Sequence, residues 1–359
     1  MPVNVSAQIK TFRTKLLTKT FLQNLSAKTF QSTRRASAYD KEGERKEGES
    51  MQRVRRQLDL PGRREETAGA FVTVAVLDSG AALHPDLAQR MIVFRDFVNG
   101  EHFYYDDNGH GTHICGIICG SGEMSGGRFR GVAPNARLAV GKVLDEQGNG
   151  DLAHMIEGLN WVLSIKDVLN IRILNMSVGV ASGSDSSRIC ELHAALKAIW
   201  DSGILIVTSA GNRGPGENTI SDISGKSGCM VVGCYDAEYY RWDPMRCETY
   251  SGCGSLRDAE RKPDIVAPGT KIISCNAAFR QTVKGNRSRA YCAKSGTSMA
   301  TAICSGAAAL TLGKYPHLTN TKLKQRFHLT ARDVGLPWNR QGYGMINVRG
   351  LLDSFSEKD

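Results

Sequence analysis

Residues 171–212, IRILNMSVGVASGSDSSRICELHAALKAIWDSGILIVTSAGN, combine strand and helix patterns in one stretch of the chain. It opens with an apolar run over 171–177, continues with a helical pattern over 192–203 and closes with a second apolar run over 204–212. Short continuous apolar runs are typical of strands that are covered on both faces, and a helix between two of them leaves the strands parallel. The stretch therefore predicts two parallel strands joined by a helix.

The same alternation continues on both sides of this stretch. Apolar runs recur as VTVAVLD (72–78), RLAVGKVL (137–144) and MVVGCYD (230–236), and DLAHMIEGLNWVLSI (151–165) has a helical pattern. The predicted fold class is α/β: one three-layer α/β/α domain with a mainly parallel central sheet, formed by residues 66–352, with right-handed crossovers.

The two ends of the chain differ in composition from this domain. Residues 1–35 are basic with a weak helical pattern, residues 36–65 are almost wholly charged and polar, and residues 353–359 are short and polar. We predict a basic N-terminal extension, a charged linker and a C-terminal tail. The acid-free start also resembles an organellar transit peptide in composition, although a solvated basic arm is the preferred interpretation.

Charge and apolar content narrow the range of partners. The net charge is +10, but residues 1–39 hold seven Lys and Arg and no acid, so much of the excess lies in the arm. No nucleic-acid-binding motif is present, and no apolar run approaches the roughly 20 residues of a membrane-spanning helix. No apolar segment with a cleavage site follows the N-terminus. We therefore expect neither nucleic acid nor membrane as a partner and a cytoplasmic location, and leave the oligomeric state open.

The chain has ten cysteines, and several of them, such as Cys115 and Cys304, stand inside apolar runs. A thiol in such a run acts as a small hydrophobic group. Because no Cys-x-x-Cys pair occurs, reduced cysteines are expected rather than a zinc site or a disulfide framework.

Polar residues that end the predicted strands are the candidates for chemistry, because sites in such sheets lie at the carboxyl ends of the strands. Asp78 ends the run 72–78 and is followed by Ser79-Gly80, a turn that can hold a carboxylate at the sheet edge. Asn212 ends the run 204–212. A helix cap for Asp78 and a simple turn for Asn212 are the structural alternatives.

Two further candidates open helices. His110 stands between glycines in DDNGHGTHICG (106–116), with His113 as a competing imidazole three residues later; the pair lacks the glutamate of a zinc-type His-Glu-x-x-His motif. Ser298 follows Gly296-Thr297 in KSGTSMATAICSGAAAL (294–310). A nucleophile at a helix start benefits from free backbone N–H groups and the helix dipole, whereas the structural alternative is a helix cap.

Together these segments resemble the subtilisin-like serine protease family, with a character closest to its intracellular members. The resemblance covers about residues 70–350 and rests on ten motifs in the order of the family: VAVLDSG, HPDL, NGHGTH, GVAPNA, KVL, LNMSVG, SAGN, KPDIVAPG, SGTSMA and GYGMINV. The chain order Asp, His, Ser is that of subtilisin.

The resemblance implies a serine endopeptidase that hydrolyses polypeptide substrates through an acyl-enzyme. Ser298 would attack the peptide carbonyl, His110 would act as the base and Asp78 would orient the imidazole. The amide of Asn212 and the backbone N–H of Ser298 would bind the oxyanion. Two alternatives stay open: a catalytically weak regulatory or binding protein on the same fold, and a dedicated processing protease.

The resemblance also suggests where substrate would bind. An extended peptide would pair with Ser177-Val178-Gly179, and Ser209-Ala210-Gly211 would form the opposite wall of the P1 pocket. Arg213 at the rim would attract acidic P1 groups, although a solvated surface arginine is an equal alternative.

Catalysis needs no cofactor in this family, but a structural calcium ion is typical. Asp86 in HPDL matches one calcium ligand, whereas the loop SGEMSGGRFRGVAP lacks the other expected ones. Residues 1–65 would serve as a short inhibitory extension, with Arg-Arg at 55–56 or 63–64 as processing points.

Overall fold

Seven parallel strands form the central sheet of the computed structural model, which describes residues 49–60, 72–178, 186–221, 228–237, 243–279 and 289–353. In spatial order the strands are β2-β3-β1-β4-β5-β6-β7. Their bounds are β1 Thr73–Asp78, β2 Met91–Asp96, β3 Arg137–Lys142, β4 Ile171–Met176, β5 Leu205–Ser209, β6 Cys229–Cys234 and β7 Ile265–Ala267. The mainly parallel sheet predicted from the apolar runs is confirmed.

Helices cover both faces of the sheet. Their bounds are α1 Glu49–Gln57, α2 His110–Cys119, α3 Leu152–Leu169, α4 Ser186–Asp201, α5 Thr297–Lys314, α6 Asn320–Thr330, α7 Trp338–Gln341 and α8 Val348–Leu352. Helices α2 and α5 pack against each other and against the sheet, and α3 and α4 do the same as a second pair. The predicted three-layer α/β/α architecture is therefore confirmed.

Strand β1 shows why a continuous apolar run suits the middle of such a sheet. All six of its residues are buried. Val74 and Val76 belong to the main core cluster, which also contains the apolar side chains of α2 and α5. Leu77, which points to the other face, comes close to Gly158 of α3. Side chains alternate between faces along a strand, so a strand covered on both faces needs an apolar residue at almost every position.

A two-stranded antiparallel hairpin stands apart from the main sheet. It pairs β8 Ile272–Cys275 with β9 Tyr291–Lys294. Helix α2 packs against β8. Helix α5 begins at Thr297, directly after β9, so the hairpin determines where the first turn of α5 lies.

The prediction of a charged linker over residues 36–65 is wrong for residues 49–60, because α1 packs into the domain core. Met51, Val54 and Leu58 are at most 1% exposed and belong to the main core cluster. A spacing of three and four residues places them on one helix face, and each buried side chain contributes about 1.5–3 kcal/mol. The charged residues between them masked this apolar stripe in the sequence.

The position of α1 also bears on the suggested processing points. Arg55 and Arg56 lie in the last turn of α1. A peptidase binds its substrate as an extended chain, whereas these residues lie in a helix that is packed into the core, so this pair is a poor processing site. Residues 63–64 lie outside the described residues, as does the whole N-terminal extension over 1–35.

The ten cysteines all lie within the described residues and are present as free thiols. Eight of them are buried. Among the helices that the structure describes, none is both long enough and apolar enough to cross a membrane.

Candidate active site

The candidate residues meet at the carboxyl edge of the sheet, where neighbouring strands end side by side. Asp78 at the end of β1 lies opposite Lys142 at the end of β3. On the other side of β1, Ser177 follows β4 and Ser209 ends β5. These two serines lie side by side, because the residues before them, Met176 and Thr208, are paired across the two strands. Parallel strands in register bring together residues that are far apart in sequence, which is why sites form at this edge.

Asp78 and His110 form a direct hydrogen bond. The Nδ1 atom of His110 lies 2.7 Å from Oδ1 of Asp78, which is fully buried and also accepts a bond from the Ser79 backbone N–H at 2.7 Å. A buried carboxylate can only accept, so Nδ1 of the neutral imidazole carries the proton and Nε2 keeps its lone pair. His110 is thus arranged as a base.

The electrostatic environment of His110 favours proton uptake. Burial by itself lowers the pKa of His110, but the charge of Asp78 and its hydrogen bond act in the opposite direction, and the net result is a raised pKa. Lys294 lowers the pKa of this imidazole and Asp106 raises it, both through their charge. The imidazolium form is therefore stabilised where it would appear during a proton transfer.

His113, the competing imidazole in the sequence, has a structural role. It is fully buried, and its Nε2 atom lies 3.0 Å from the carbonyl oxygen of Ile272 and 3.2 Å from that of Cys292. Burial, followed by the charges of Lys294 and His110, lowers its pKa to about 3. A neutral imidazole that donates to the carbonyls of β8 and β9 joins α2 to the hairpin and cannot act as a base.

The glycines around His110 allow the backbone to pass close to the Asp78 turn. A Cβ atom on Gly111 would lie 2.1 Å from the carbonyl oxygen of Gly80, far inside van der Waals contact. Gly109, which precedes the helix, has φ +83°, a conformation that other residues rarely adopt. The two glycines that frame His110 in the sequence are thus required for its approach to Asp78.

Ser298 and Asn212 lie together at the start of α5. Ser298 is the second residue of the helix, 8% exposed, with its hydroxyl 3.5 Å from the carbonyl oxygen of Ser177. The Oδ1 atom of exposed Asn212 accepts bonds from the backbone N–H of Thr297 at 3.2 Å and from its hydroxyl at 3.0 Å. Because Oδ1 is occupied in this way, the Nδ2 donor of Asn212 remains for another acceptor.

The predicted substrate-contacting residues flank this serine. Ser177, Val178, Ser209 and Ala210 are buried, and Gly211 is partly exposed. Ala210 is fixed by backbone bonds to Val232 and Ser221. Arg213 is exposed, as a side chain at a pocket rim would be. Gly179, also predicted to contact substrate, lies outside the described residues.

Asp106 was missed as a candidate, although it belongs to the same motif as His110. Its Oδ1 atom accepts from the Ser79 hydroxyl at 2.9 Å and the Gly109 N–H at 2.7 Å, and its Oδ2 atom accepts from the N–H and hydroxyl of Thr112 at 2.8 and 2.6 Å. The Ser79 hydroxyl in turn accepts from the Gly111 N–H at 2.9 Å. Asp106 therefore binds the Asp78 turn to the first turn of α2.

Lys142 was also missed, because the sequence shows it only as a charge that ends an apolar strand. Its side chain is fully buried, and Nζ donates to the carbonyl oxygens of Ser79 at 3.0 Å and Leu144 at 2.8 Å. It also pairs with Asp107 at 2.6 Å. A buried ammonium group is tolerated only when several acceptors compensate for its lost hydration, and these acceptors come from the segments around Asp78 and His110.

Asp86 does not fit the calcium site suggested for it. Its buried carboxylate accepts from the Met124 N–H at 3.0 Å, the Ser121 hydroxyl at 3.4 Å and the Tyr291 hydroxyl at 2.5 Å. A calcium ion requires six to eight oxygen ligands rather than hydrogen donors around the carboxylate. Burial, then the bond to Asp86, raises the pKa of Tyr291, so that Tyr291 stays a donor.

His84, Asp86 and Cys275 form a buried group whose ligand atoms lie within 4.8 Å of one another, close enough to suggest a metal. The imidazole nitrogens of His84 are already used: Nδ1 accepts from the Asp86 N–H at 3.1 Å, and Nε2 lies 2.8 Å from the carbonyl oxygen of Ala290. Burial keeps the pKa of the Cys275 thiol well above its ordinary value. A protonated thiol and an occupied imidazole do not suit a metal ion.

A hydrogen-bonded Asp and His at the carboxyl edge of a three-layer α/β/α sheet, and a serine that opens a helix next to the end of β4, are the residue types of one class of serine hydrolase site. A sequence profile described as the Subtilase family matches residues 69–344. The chain belongs to the subtilase family, which confirms the family resemblance.

Known relatives and solved structures agree with this membership. Over 266 residues the chain is 40% identical to serine protease AprX of Bacillus subtilis (strain 168), covering 72% of this chain but 60% of that protein. It is 33% identical to subtilisin DY of Bacillus licheniformis, covering 78% of this chain and 90% of that protein. The solved structure of sphericase superposes with a TM-score of 0.65 at 27% identity over 78% of this chain and 92% of that chain.

Proposed function

We propose that this protein is a serine endopeptidase in which Asp78, His110 and Ser298 form the catalytic triad. The observation that carries the proposal is the 2.7 Å bond between Asp78 and Nδ1 of His110. It gives His110 the tautomer that a base needs, at the sheet edge where Ser298 opens α5. Family membership and the relatives called serine protease and subtilisin support the same reaction.

In this mechanism the hydroxyl of Ser298 attacks the carbonyl carbon of a peptide bond. Nε2 of His110 takes the hydroxyl proton and then gives it to the leaving amine, which departs and leaves an acyl-enzyme on Ser298. A water molecule, deprotonated by the same imidazole, releases the acyl group and restores the serine. Asp78 keeps its charge throughout and stabilises the imidazolium, consistent with the raised pKa of His110.

The oxyanion of the tetrahedral intermediate would be held between two N–H donors. One is Nδ2 of Asn212, which stays available because Oδ1 is anchored to Thr297. The other is the backbone N–H of Ser298, one of the first N–H groups of α5, which have no partner inside the helix. Both donors are fixed before the negative charge develops, which is the arrangement that lowers the barrier.

Substrate on the acyl side would bind as an extended strand next to Ser177 and Val178, with Ser209, Ala210 and Gly211 forming the facing wall. Backbone pairing of this kind gives affinity with little demand on sequence. We further propose that Arg213 favours acidic P1 side chains. The cytoplasmic location and the inhibitory role of the N-terminal extension stay predictions from the sequence.

Labelling with a fluorophosphonate tests the assignment, because this reagent phosphonylates a serine hydroxyl only when a base activates it. We expect labelling of the full chain, none of Ser298→Ala, and strongly reduced labelling of His110→Ala. A P1 peptide library with wild type and Arg213→Glu tests the acidic preference. Equal labelling of wild type and Ser298→Ala would overturn the assignment of Ser298 as the nucleophile. No labelling of either protein would overturn the triad and favour a binding protein on this fold.

A further inference from the structure

Lys294 is a cationic side chain beside His110 that the mechanism above leaves without a role. It is the last residue of β9, opposite Ile272, and stands four positions before Ser298. Its Nζ atom lies 3.9 Å from the point that a Cβ atom on Gly109 would occupy, and Gly109 directly precedes His110. The side chain is partly buried. An ammonium group is thus held at the mouth of the site, next to the catalytic imidazole.

The charge of Lys294 has no counter-ion among the residues that the structure describes. The other lysines near this edge are paired: Lys142 with Asp107 at 2.6 Å and Lys271 with Asp243 at 2.7 Å. The carboxylates that face the site are committed elsewhere, Asp78 to His110 and Asp106 to backbone and hydroxyl donors. A partly desolvated cation without a partner costs free energy, which an anionic ligand would recover.

The electrostatic effects of Lys294 agree with this position. Its charge lowers the pKa of both His110 and His113, against the opposing effect of Asp78 and Asp106 on His110. Charges act on an imidazole in this way only over short distances inside a protein. A carboxylate bound to Lys294 would therefore also lie close to the catalytic base.

The reaction itself says which part of a substrate reaches this place. His110 gives its proton to the leaving amine, so the C-terminal fragment must lie against the imidazole on the side away from the acyl-binding residues Ser177 and Ser209. The Nζ atom of Lys294 lies close to Gly109, the residue before His110. Lys294 also ends strand β9, four residues before Ser298.

We propose that Lys294 is a specificity-determining residue that binds a carboxylate of the substrate within the first two residues after the cleaved bond. This inference rests on the proposed peptidase function. It extends that function to the leaving-group side of the cleaved bond, whereas Arg213 was proposed to act on the acyl side. The carboxylate has two sources, an acidic side chain or the free C-terminus of a short leaving fragment. Either would form a charge-assisted bond with the ammonium group.

Matched quenched peptides provide the test. Two sets of four peptides share one acyl side, one set for the first and one for the second position after the cleaved bond. Within a set that position carries Glu, Gln, Lys, or Gln with a free rather than amidated C-terminus. The kcat/KM of each is measured for wild type, Lys294→Met and Lys294→Glu. Lys322→Met serves as the control, because it removes the same charge from an exposed position on α6.

For wild type and Lys322→Met we expect the Glu peptide to exceed its Gln counterpart by about three- to tenfold in kcat/KM, as for one partly exposed ion pair. The preference should vanish in Lys294→Met and reverse toward Lys in Lys294→Glu. A gain from the free C-terminus instead identifies the terminal carboxylate as the ligand. Lys294→Met should also move the acidic limb of the pH profile to higher pH, because the pKa of His110 rises.

The outcomes separate this inference from the proposed function. A wild type that is labelled at Ser298 and cleaves the Glu, Gln and free-terminus peptides equally would overturn the role of Lys294 while leaving the triad intact. The same preference in wild type and Lys294→Met would also overturn it. Absence of cleavage and of labelling together would instead overturn the peptidase assignment.

Discussion

The two sides of the candidate site differ in how firmly their polar groups are held. On the proton-transfer side, at the ends of β1 and β3, Asp78, Asp106 and Lys142 each engage two or more partners. On the proposed substrate side, after β5, Asn212 is exposed with its Oδ1 atom anchored to Thr297, and Arg213 is exposed.

This difference suits the task that the proposed mechanism gives to each side. A proton transfer needs a base at a fixed position and in one tautomer, and a network of buried hydrogen bonds provides that rigidity. The substrate side must accept different side chains and release products, so the polar side chains of Asn212 and Arg213 stay accessible to solvent. Substitutions on the proton-transfer side should therefore change kcat and the pH profile. Substitutions on the substrate side should change the binding of the substrate or of the transition state.

The largest effect is expected from Asp78→Asn. The amide would turn the imidazole of His110 to the wrong tautomer while keeping the fold, so kcat should fall about 10⁴-fold, a magnitude measured in another triad protease. Steady-state kinetics on one peptide with a melting curve would check this. Asp167→Asn, at an 86% exposed side chain, is the control. A loss of less than tenfold would mean that His110 does not depend on Asp78.

Asn212→Ala should lower kcat by about 10²–10³-fold, with little change in KM. This is the loss in kcat found when the equivalent donor is removed from subtilisin, a member of the same family. Two variants sharpen the result. Asn212→Asp keeps the oxygen that accepts from Thr297 but loses the donor, so it should lose at least as much. Thr297→Val removes the hydroxyl bond of the anchor and keeps the backbone N–H bond, so it should lose at most about tenfold. A larger loss in Thr297→Val than in Asn212→Asp would show that anchoring matters more than donation.

Asp106→Asn should lower kcat/KM by about ten- to a hundredfold, because it loosens the link between the Asp78 turn and α2. Its charge raises the pKa of His110, so its loss lowers that pKa. The base then stays deprotonated to lower pH, and the acidic limb of kcat/KM moves toward lower pH. Asp96→Asn is the matched control: this buried carboxylate also accepts from backbone N–H groups and Tyr105, but at the end of β2. An unchanged limb in Asp106→Asn would contradict the role given to its charge.

The smallest effects are expected outside both sides, at Asp86. If hydrogen-bond donors rather than a calcium ion hold the Asp86 carboxylate, a chelator has no ion to remove and should change the melting temperature by less than about 2 °C. A larger shift would correspond to a loss of roughly 1 kcal/mol in the free energy of unfolding. Tyr291→Phe should lower the free energy of unfolding by about 1–2 kcal/mol through the lost bond, with kcat unchanged. A strong loss of thermal stability on chelation would restore the calcium prediction.

Much of this fold can be predicted from the sequence, because parallel strands that are buried on both faces have continuous apolar runs, as β1 and β5 do. Helix α1 escaped notice for the opposite reason. Met51 and Val54 of the helix, and Leu58 just after it, stand about a turn apart among arginines and glutamines. A short amphipathic stripe in a charged segment gives little signal until its partner surface is known.

The catalytic candidates were found by motif, whereas their supporting residues were not. Asp106 and Lys142 lie inside recognised motifs, yet nothing in the sequence shows that one carboxylate ties the Asp78 turn to α2, or that the lysine is fully buried. Likewise the sequence pattern of glycines and apolar residues does not distinguish the role of His110 from that of His113. Only packing distinguishes them, because His113 meets the carbonyls of the hairpin and His110 meets Asp78.

The sequence alone predicts the family, the three-layer α/β/α class with a mainly parallel sheet, and the candidate nucleophile, base and oxyanion donor, because those follow from continuous apolar runs and from short motifs. The packed structure shows which histidine meets the aspartate, that Asp86 lies among hydrogen-bond donors and that Lys294 stands beside His110. Such facts depend on contacts between segments far apart in the chain, and hydrogen-bond partners and burial arise only when those segments pack together.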